Sequence, residues 1–422
     1  MTSRERVRRV VNREGADRIP LDLGSTPATG ISASTLFRLR KALGLQEKPV
    51  RIAEPGQMLG YVDDEIRKAL GVDTVGLWRR KNSMGLLNEG WKPWAMMDGT
   101  PVQMCGGFAY DYTSDGKLVA YPQGDKSVPP SFMMPKGGYF FDGINRAAPF
   151  DEDDLDPVRD YGDQFAVYSD EDASWLEHEA RRLYEETDCA IIGIVGDGSF
   201  GDAGALPGRA LKKVQGIRAM DDWLMAHILY PDYVHELFEF QLQVFLKNLE
   251  IYRQAVGDRI DVIYTQGTDF GMQTGEIISP EHYRVFYKKP MEAYTRWIHK
   301  NTKWKVMIHT CGSIVNLLDD LAESGFDILN PVQCSAKGMD PAMLKGQYGD
   351  KFIFWGGGVD TQKTLPFGSA DEVRQEVAER LRIFGEGGGF VFNTIHNIQG
   401  GTPVENVLSM YDTVAKYRDN AG

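Results

Sequence analysis

The sequence predicts an α/β fold of the (β/α)8 TIM-barrel type. Three observations predict it. Short runs of branched apolar residues alternate with helical segments over most of the chain, eight such runs can be counted, and each closes on polar or glycine residues. Barrel strands read this way because both their faces are buried and their carboxyl ends converge on one mouth. An open doubly wound sheet would need a glycine-rich phosphate turn after an early strand, and none has that spacing. Residues 1–422 are therefore read as one barrel domain carrying a β-rich insertion at about 79–163.

Residues 4–13 read as a short basic helix, and 19–23 (Ile-Pro-Leu-Asp-Leu) as the first strand, closed by Gly24. Spacing predicts helices over 34–43 and 57–70, the second stopped by Gly71. Residues 74–78 form the second strand. Helical periodicity then disappears until residue 163, and glycine, proline and aromatic residues accumulate. Asp98-Gly99, Asp115-Gly116 and Asp142-Gly143 read as hairpin turns. Such a block is too long for a plain loop and either covers a site or makes a subunit contact, in which case the chain is a homodimer. An acidic connector, Asp151 to Asp154, leads out of it. Alternation resumes with a helix at 172–187, a strand at 190–196, helices at 208–227 and 231–256, and a strand at 260–265 ending in Gln266-Gly267-Thr268-Asp269. Ser279 caps a helix at 280–300, with Pro280 in its first turn. Four strand-helix units follow, with strands at 305–308, 326–330, 352–355 and 389–392, and a last helix at 404–417.

Composition narrows the function classes. A net charge of -13 leaves no basic surplus for nucleic acid or an anionic membrane. No run reaches the roughly 20 apolar residues of a membrane helix, and the start of the chain is charged, unlike a signal segment. The four cysteines show no disulfide-framework spacing. A soluble, cytoplasmic protein with a small-molecule substrate is expected.

Chemistry concentrates in Val306-Met307-Ile308-His309-Thr310-Cys311-Gly312. Two residues apart at a strand end, His309 and Cys311 point to the same side and can share one ion. A third ligand must come from another strand, and His396 or Cys334 qualifies; either completes a nitrogen–sulfur set suited to Zn²⁺ with an open position. The bland alternative is a buried histidine and small buried cysteines. Asp269 and Asp360, at two other strand ends, are candidate general acids or bases. Gln273, Gln333, Asn397 and Gln399 are candidate substrate contacts. The Gly356 to Gly358 run allows a ligand or backbone to approach closely.

Taken in order, Thr268-Asp269-Phe270-Gly271-Met272-Gln273 with Ile278-Ser279-Pro280, then Ile308-His309-Thr310-Cys311-Gly312, then Thr402-Pro403-Val404-Glu405-Asn406 resemble the uroporphyrinogen decarboxylase superfamily, well over 175–418 and loosely before. The resemblance implies an α/β barrel. True uroporphyrinogen decarboxylases carry an Arg-Gln-Ala-Gly-Arg motif that clamps substrate carboxylates; here Leu23-Gly24-Ser25-Thr26-Pro27-Ala28 contains no arginine. The closer branch is the cobamide-dependent methyltransferases, in which zinc bound by His-x-Cys and a distant Cys activates a thiol. His309 and Cys311 match that pattern, while its final Cys falls on His396. The resemblance thus implies a zinc methyltransferase that exchanges a methyl group with methylcobamide on a separate corrinoid protein, since no Asp-x-His-x-x-Gly cobalamin motif occurs in this chain. The donor is expected to be of methoxy or methylamine type, or the acceptor a thiol. A metal-free decarboxylase or lyase using Asp269 or Asp360, and a non-enzymatic corrinoid or tetrapyrrole carrier, are the other readings.

Overall fold

Seven parallel strands form one curled sheet in the order Thr74–Leu77, Ala190–Ile194, Val262–Tyr264, Lys305–His309, Ile328–Asn330, Ile353–Trp355, Phe390–Val391 in the computed structural model, which describes residues 1–265 and 267–420. Gln266, read above as part of a strand end, lies outside the described residues. The expected first strand closes the curl with a single parallel bridge, Leu21 to Phe392. Around it the Asp22 amide donates to the Phe392 carbonyl (2.9 Å), the Phe392 amide to Pro20 (2.9 Å) and the Asp73 amide to Leu21 (2.7 Å). Pro20 has no N–H to extend the ladder, and Gly24 turns the chain away at φ +78°.

Side-chain alternation follows the period of two expected of strands. Ile192, Ile194, Tyr264, Met307, Ile328, Trp355 and Val391 fill the barrel interior, together with Val7, Val10 and Val11 of the helix Ser3–Val11. Ile191, Ile263, Val306, Ile308, Leu329 and Phe354 face the surrounding helices. Both faces are thus dry, and each such side chain contributes about 1.5–3 kcal/mol of burial free energy. This alternation also fixes the site: Met307 points inward, so His309, two residues on, does as well.

Three local expectations need correction. Residues 57–62 are not helical; Leu59–Gly60 pairs antiparallel with Val50–Glu54, and the helix begins at Asp64. Met58 at φ +52° breaks any helix there, and a side chain at Gly60 would come within 2.5 Å of Val50. Residues 208–219 are irregular, with Gly208 and Gly216 at positive φ, and the helix runs only over Met220–Leu229. Asp142–Gly143 is a strand opposite Phe132–Met134, not a turn. Asp98-Gly99 and Asp115-Gly116 do lie between paired strands.

The β-rich segment builds two four-stranded sheets, one of which recruits Val50–Glu54 and Leu59–Gly60 from before residue 79. Its aromatic residues pack on one another: Trp94 lies 5.7 Å from Phe108 and 5.9 Å from Tyr110, centroid to centroid. Phe108 in turn meets Phe141 at 6.3 Å. They form a local core, and Phe141 extends it to the barrel mouth. Among the described residues, no helix is long and apolar enough to cross a membrane.

Candidate metal centre and cavity

His309 ends the strand Lys305–His309, Cys311 lies two residues beyond it, and His396 follows the last strand. One potential ligand atom from each lies within 4.8 Å of the other two. The His309 Nε2 is 3.3 Å from the Cys311 Sγ, and the His309 and His396 ring centroids are 5.4 Å apart.

The imidazole of His309 is oriented from behind. The Asn330 side-chain NH₂ donates to the Trp355 carbonyl (2.8 Å), which turns Asn330 Oδ1 toward His309 Nδ1 at 2.6 Å. That oxygen can only accept, so Nδ1 carries the proton and Nε2 presents its lone pair to the cluster. A second residue behind a histidine ligand is a common way to fix tautomer and ring angle. His396 is held neutral, its pKa pushed down to about 4 by burial and by the neighbouring His309. Burial, then the Asp269 carboxylate, push the Cys311 thiol well above its ordinary value. A dication between these atoms would reverse that effect on the thiol.

Two glycines make the approach of the loops feasible. Gly312, at φ +86°, packs directly on Gly271, where an added Cβ would lie 2.3 Å from the Gly271 carbonyl carbon. Asp269 Oδ1 accepts from the Cys311 amide (2.8 Å) and lies 4.0 Å from His309 Nε2. Asp202 stands behind it, accepting from the amides of Asp269 (3.2 Å), Gly204 (3.0 Å) and Ala205 (3.1 Å). Burial and the nearby Asp269 carboxylate raise its pKa to about 6.

The other sequence candidates separate clearly. Cys334 stands outside the cluster; its Sγ faces the Val332 carbonyl at 3.5 Å, and burial pushes its thiol up to about 12. Asp360 Oδ1 accepts from the Gln362 amide (2.7 Å) in its own loop. The Gln333 carbonyl oxygen accepts from the Gly312 amide (2.7 Å) and its NH₂ donates to Gln273 (3.2 Å), which in turn donates to Gln362 (3.2 Å). This chain of amides braces the Cys311 loop. Asn397 is fully engaged: Oδ1 accepts from the Gly30 amide (2.5 Å), and Nδ2 donates to Pro27 (2.8 Å) and Gln57 (2.7 Å). Gln399 donates to the Asn397 carbonyl at 3.4 Å. Gly356 to Gly358 admit neighbouring chain rather than open space, since a Cβ at Gly358 would lie 2.4 Å from the Phe392 ring.

In front of the cluster opens a cavity of about 600 Å³, whose lining includes His309, Asp269, Tyr264, Trp78, Phe141 and Glu54. That volume suits a small organic ligand. Glu54 is buried, which raises its pKa, and it accepts from the Gly56 amide (2.9 Å) and from the Ser83 hydroxyl. Asn330, Asp202 and Glu54 were not singled out from sequence. Only Asn330 left a trace there, as a polar residue ending a strand of otherwise apolar residues.

Comparison with known proteins adds the following. Residues 210–417 match the uroporphyrinogen decarboxylase (URO-D) family. A uroporphyrinogen decarboxylase of Psychromonas ingrahamii is 29% identical over 147 residues, 33% of this chain and 38% of that protein. One from Hamiltonella defensa is 30% identical over 154 residues, 35% and 40% of the two chains. The matched segments therefore span less than half the length of these relatives. A solved methyltransferase from Methanosarcina mazei superposes with a TM-score of 0.55 at 16% identity, covering 99% of each chain. That likeness supports the barrel fold.

Proposed function

We propose that this chain, which carries a domain of the uroporphyrinogen decarboxylase family over residues 210–417, is a zinc-dependent methyltransferase working with a separate corrinoid protein. One observation supports this most: His309, Cys311 and His396 bring donor atoms within 4.8 Å of one another at a barrel mouth. The donor set fits the ion. Ligand atoms around tetrahedral zinc sit roughly 3.3–3.8 Å apart given usual bond lengths, so small side-chain adjustments suffice, and three protein ligands leave a position for substrate.

When bound, zinc would polarise the heteroatom of a methylated donor or lower the pKa of a thiol acceptor. The protein's own residues account for the rest. His309 and His396 enter as neutral donors, so Cys311 brings the single ligand anion. This less anionic set favours work on an ether or amine over activation of a thiol. Asn330 holds the His309 ring with Nε2 forward. Asp269 fixes the Cys311 backbone and stands where it can exchange a proton with the substrate's heteroatom. Phe141 and Trp78 give the cavity apolar walls. A corrinoid carried by the partner would supply the cobalt that exchanges a methyl group with a methoxy or methylamine-type donor, or with a thiol acceptor.

Decarboxylation of a porphyrinogen is the weaker reading. The segment that corresponds to that branch's arginine motif, Leu23 to Ala28, contains no arginine, and Asp22 just before it is buried against Thr74 (2.6 Å) and Trp355 (2.8 Å). The test is to mix the protein with cob(I)alamin and a panel of methoxylated and methylated-amine donors, following methylcobalamin by its absorbance. Methylcobalamin from at least one donor, abolished in His309→Ala, is the expected result. No methylcobalamin from any donor, and no demethylation of methylcobalamin by thiols, would overturn the proposal.

A further inference from the structure

The cavity's charges are unevenly satisfied. Three of the five carboxylates that line it are met by neutral donors: Glu54 by the Gly56 amide and Ser83, Asp202 by three backbone amides, and Asp197 by the Asn248 side chain at 3.3 Å. Its cations have no carboxylate in such close contact, although the Arg79 charge acts at longer range on Asp197 and the Arg209 charge on Glu54. Among the described residues, no carboxylate oxygen lies within 4 Å of the side-chain nitrogens of Arg79, Lys81 or Arg209, although all three line the cavity. Arg209 donates only to the Gly204 carbonyl. By contrast, Arg80 beside them reaches Asp172 at 3.6 Å, and Lys212 reaches Asp125 at 2.7 Å. Three cations without a carboxylate within 4 Å thus share one cavity.

Arg79 is the best placed of the three. It follows the strand Thr74–Leu77, three strands around the mouth from the strand that ends in His309. Its guanidinium lies against Gly196, where an added Cβ would come 2.7 Å from Nη1, so the glycine makes room for it. A partly buried, unpaired guanidinium is costly unless an anion meets it, and its planar fork matches a carboxylate through two hydrogen bonds. Between Arg79 and the histidine–cysteine cluster the lining includes Trp78, Ile194 and Tyr264, suited to an apolar or aromatic spacer.

Building on the methyl-transfer reading, we infer that the substrate is anionic: a methylated compound whose far end carries a carboxylate bound by Arg79, with Arg209 and Lys81 adding positive potential. The methyl-bearing heteroatom would then face His309, Cys311 and His396.

Calorimetric titration with 4-methoxybenzoate, and with its neutral counterpart 4-methoxybenzamide, tests this directly. The carboxylate is expected to bind at least about tenfold more tightly, the value of one charge-assisted contact. Arg79→Gln should abolish that preference, while Arg79→Lys retains part of it. Gly196→Ala, which leaves the guanidinium but displaces it, should reduce the preference as well and guards against a folding defect in the first variant. The corresponding methoxyarene sulfonate and phosphate report whether the fork selects a planar carboxylate or any anion. Equal affinity for acid and amide, a preference unchanged in Arg79→Gln, or no binding by any of the four overturns the inference. Run with and without bound zinc, a preference present in both forms supports the subsite independently of the methyl-transfer reading, and its absence from both overturns it.

Discussion

Asn330 shows how much a site can depend on a residue that touches no substrate. Its amide is fixed by the Trp355 carbonyl, and this decides which nitrogen of His309 faces the cavity. Asn330→Ala is expected to weaken zinc affinity by about 10–100-fold, measured by competition with a chromogenic chelator, while the fold is retained. Removing metal should also expose the cost of burying His396 as a neutral base. With a folded pKa of about 4 against an unfolded value of about 6.5, the unfolded chain takes up the proton first as pH falls. Stability from this group is complete above pH 6.5 and is lost between about 6.5 and 4, amounting to about 3 kcal/mol. In metal-stripped protein, melting curves at pH 7 and pH 5 should therefore differ more in wild type than in His396→Gln; equal differences would contradict this. At this scale the sequence disclosed His309 and Cys311, because a histidine and a cysteine two apart at a strand end are rare. It favoured His396 as the third ligand and kept Cys334 as the alternative, because which loop bends inward depends on packing far along the chain. It also suggested substrate contacts for Gln333, Gln273 and Asn397, whose amide groups turn out to be engaged with the loops themselves.

Strands were legible and loops were not. Branched apolar runs identified all seven strands of the barrel sheet and the Leu21 segment that closes it by a single bridge, since a strand buried on both faces leaves little choice of residue. The stretch 57–62 failed because its apolar spacing suits a helix, and only the partner strand Val50–Glu54 makes it extended. The loop ending in Gly312 is equally constrained by what it meets. Gly312→Ala would place a Cβ against the Gly271 backbone at φ +86°. A loss of about 1–3 kcal/mol is expected from backbone strain alone, together with weakened metal binding, because Cys311 is the adjacent residue. Denaturant unfolding checks the first effect and metal content the second. Unchanged values for both would mean that the two loops move apart freely.

Across the whole molecule, closure of the barrel relies on one buried carboxylate. Asp73, fully inaccessible, pairs with Arg6 (2.6 Å) of the first helix, Arg18 (2.8 Å) before the closing bridge, and Arg418 (3.4 Å) of the last helix. It also accepts from the Leu21 amide at 2.9 Å. The first and last helices and the closing segment thus meet on a single side chain at the face opposite the histidine–cysteine cluster. Asp73→Asn would leave buried guanidinium groups uncompensated, and a loss of about 3–5 kcal/mol is expected, read as a large drop in Tm. A variant as stable as wild type would show that closure rests on apolar packing alone. Sequence reading had no access to this cluster, whose members run from Arg6 to Arg418 and resemble ordinary surface charges.

The central claim is that the barrel mouth holds a zinc ion between His309, Cys311 and His396. Metal analysis of purified wild type beside His309→Ala and His396→Ala tests it most directly. One equivalent of zinc in wild type, lost in both variants while their folds persist, is the predicted result. Metal-free wild type after growth in zinc-replete medium, with variants indistinguishable from it, would contradict the account.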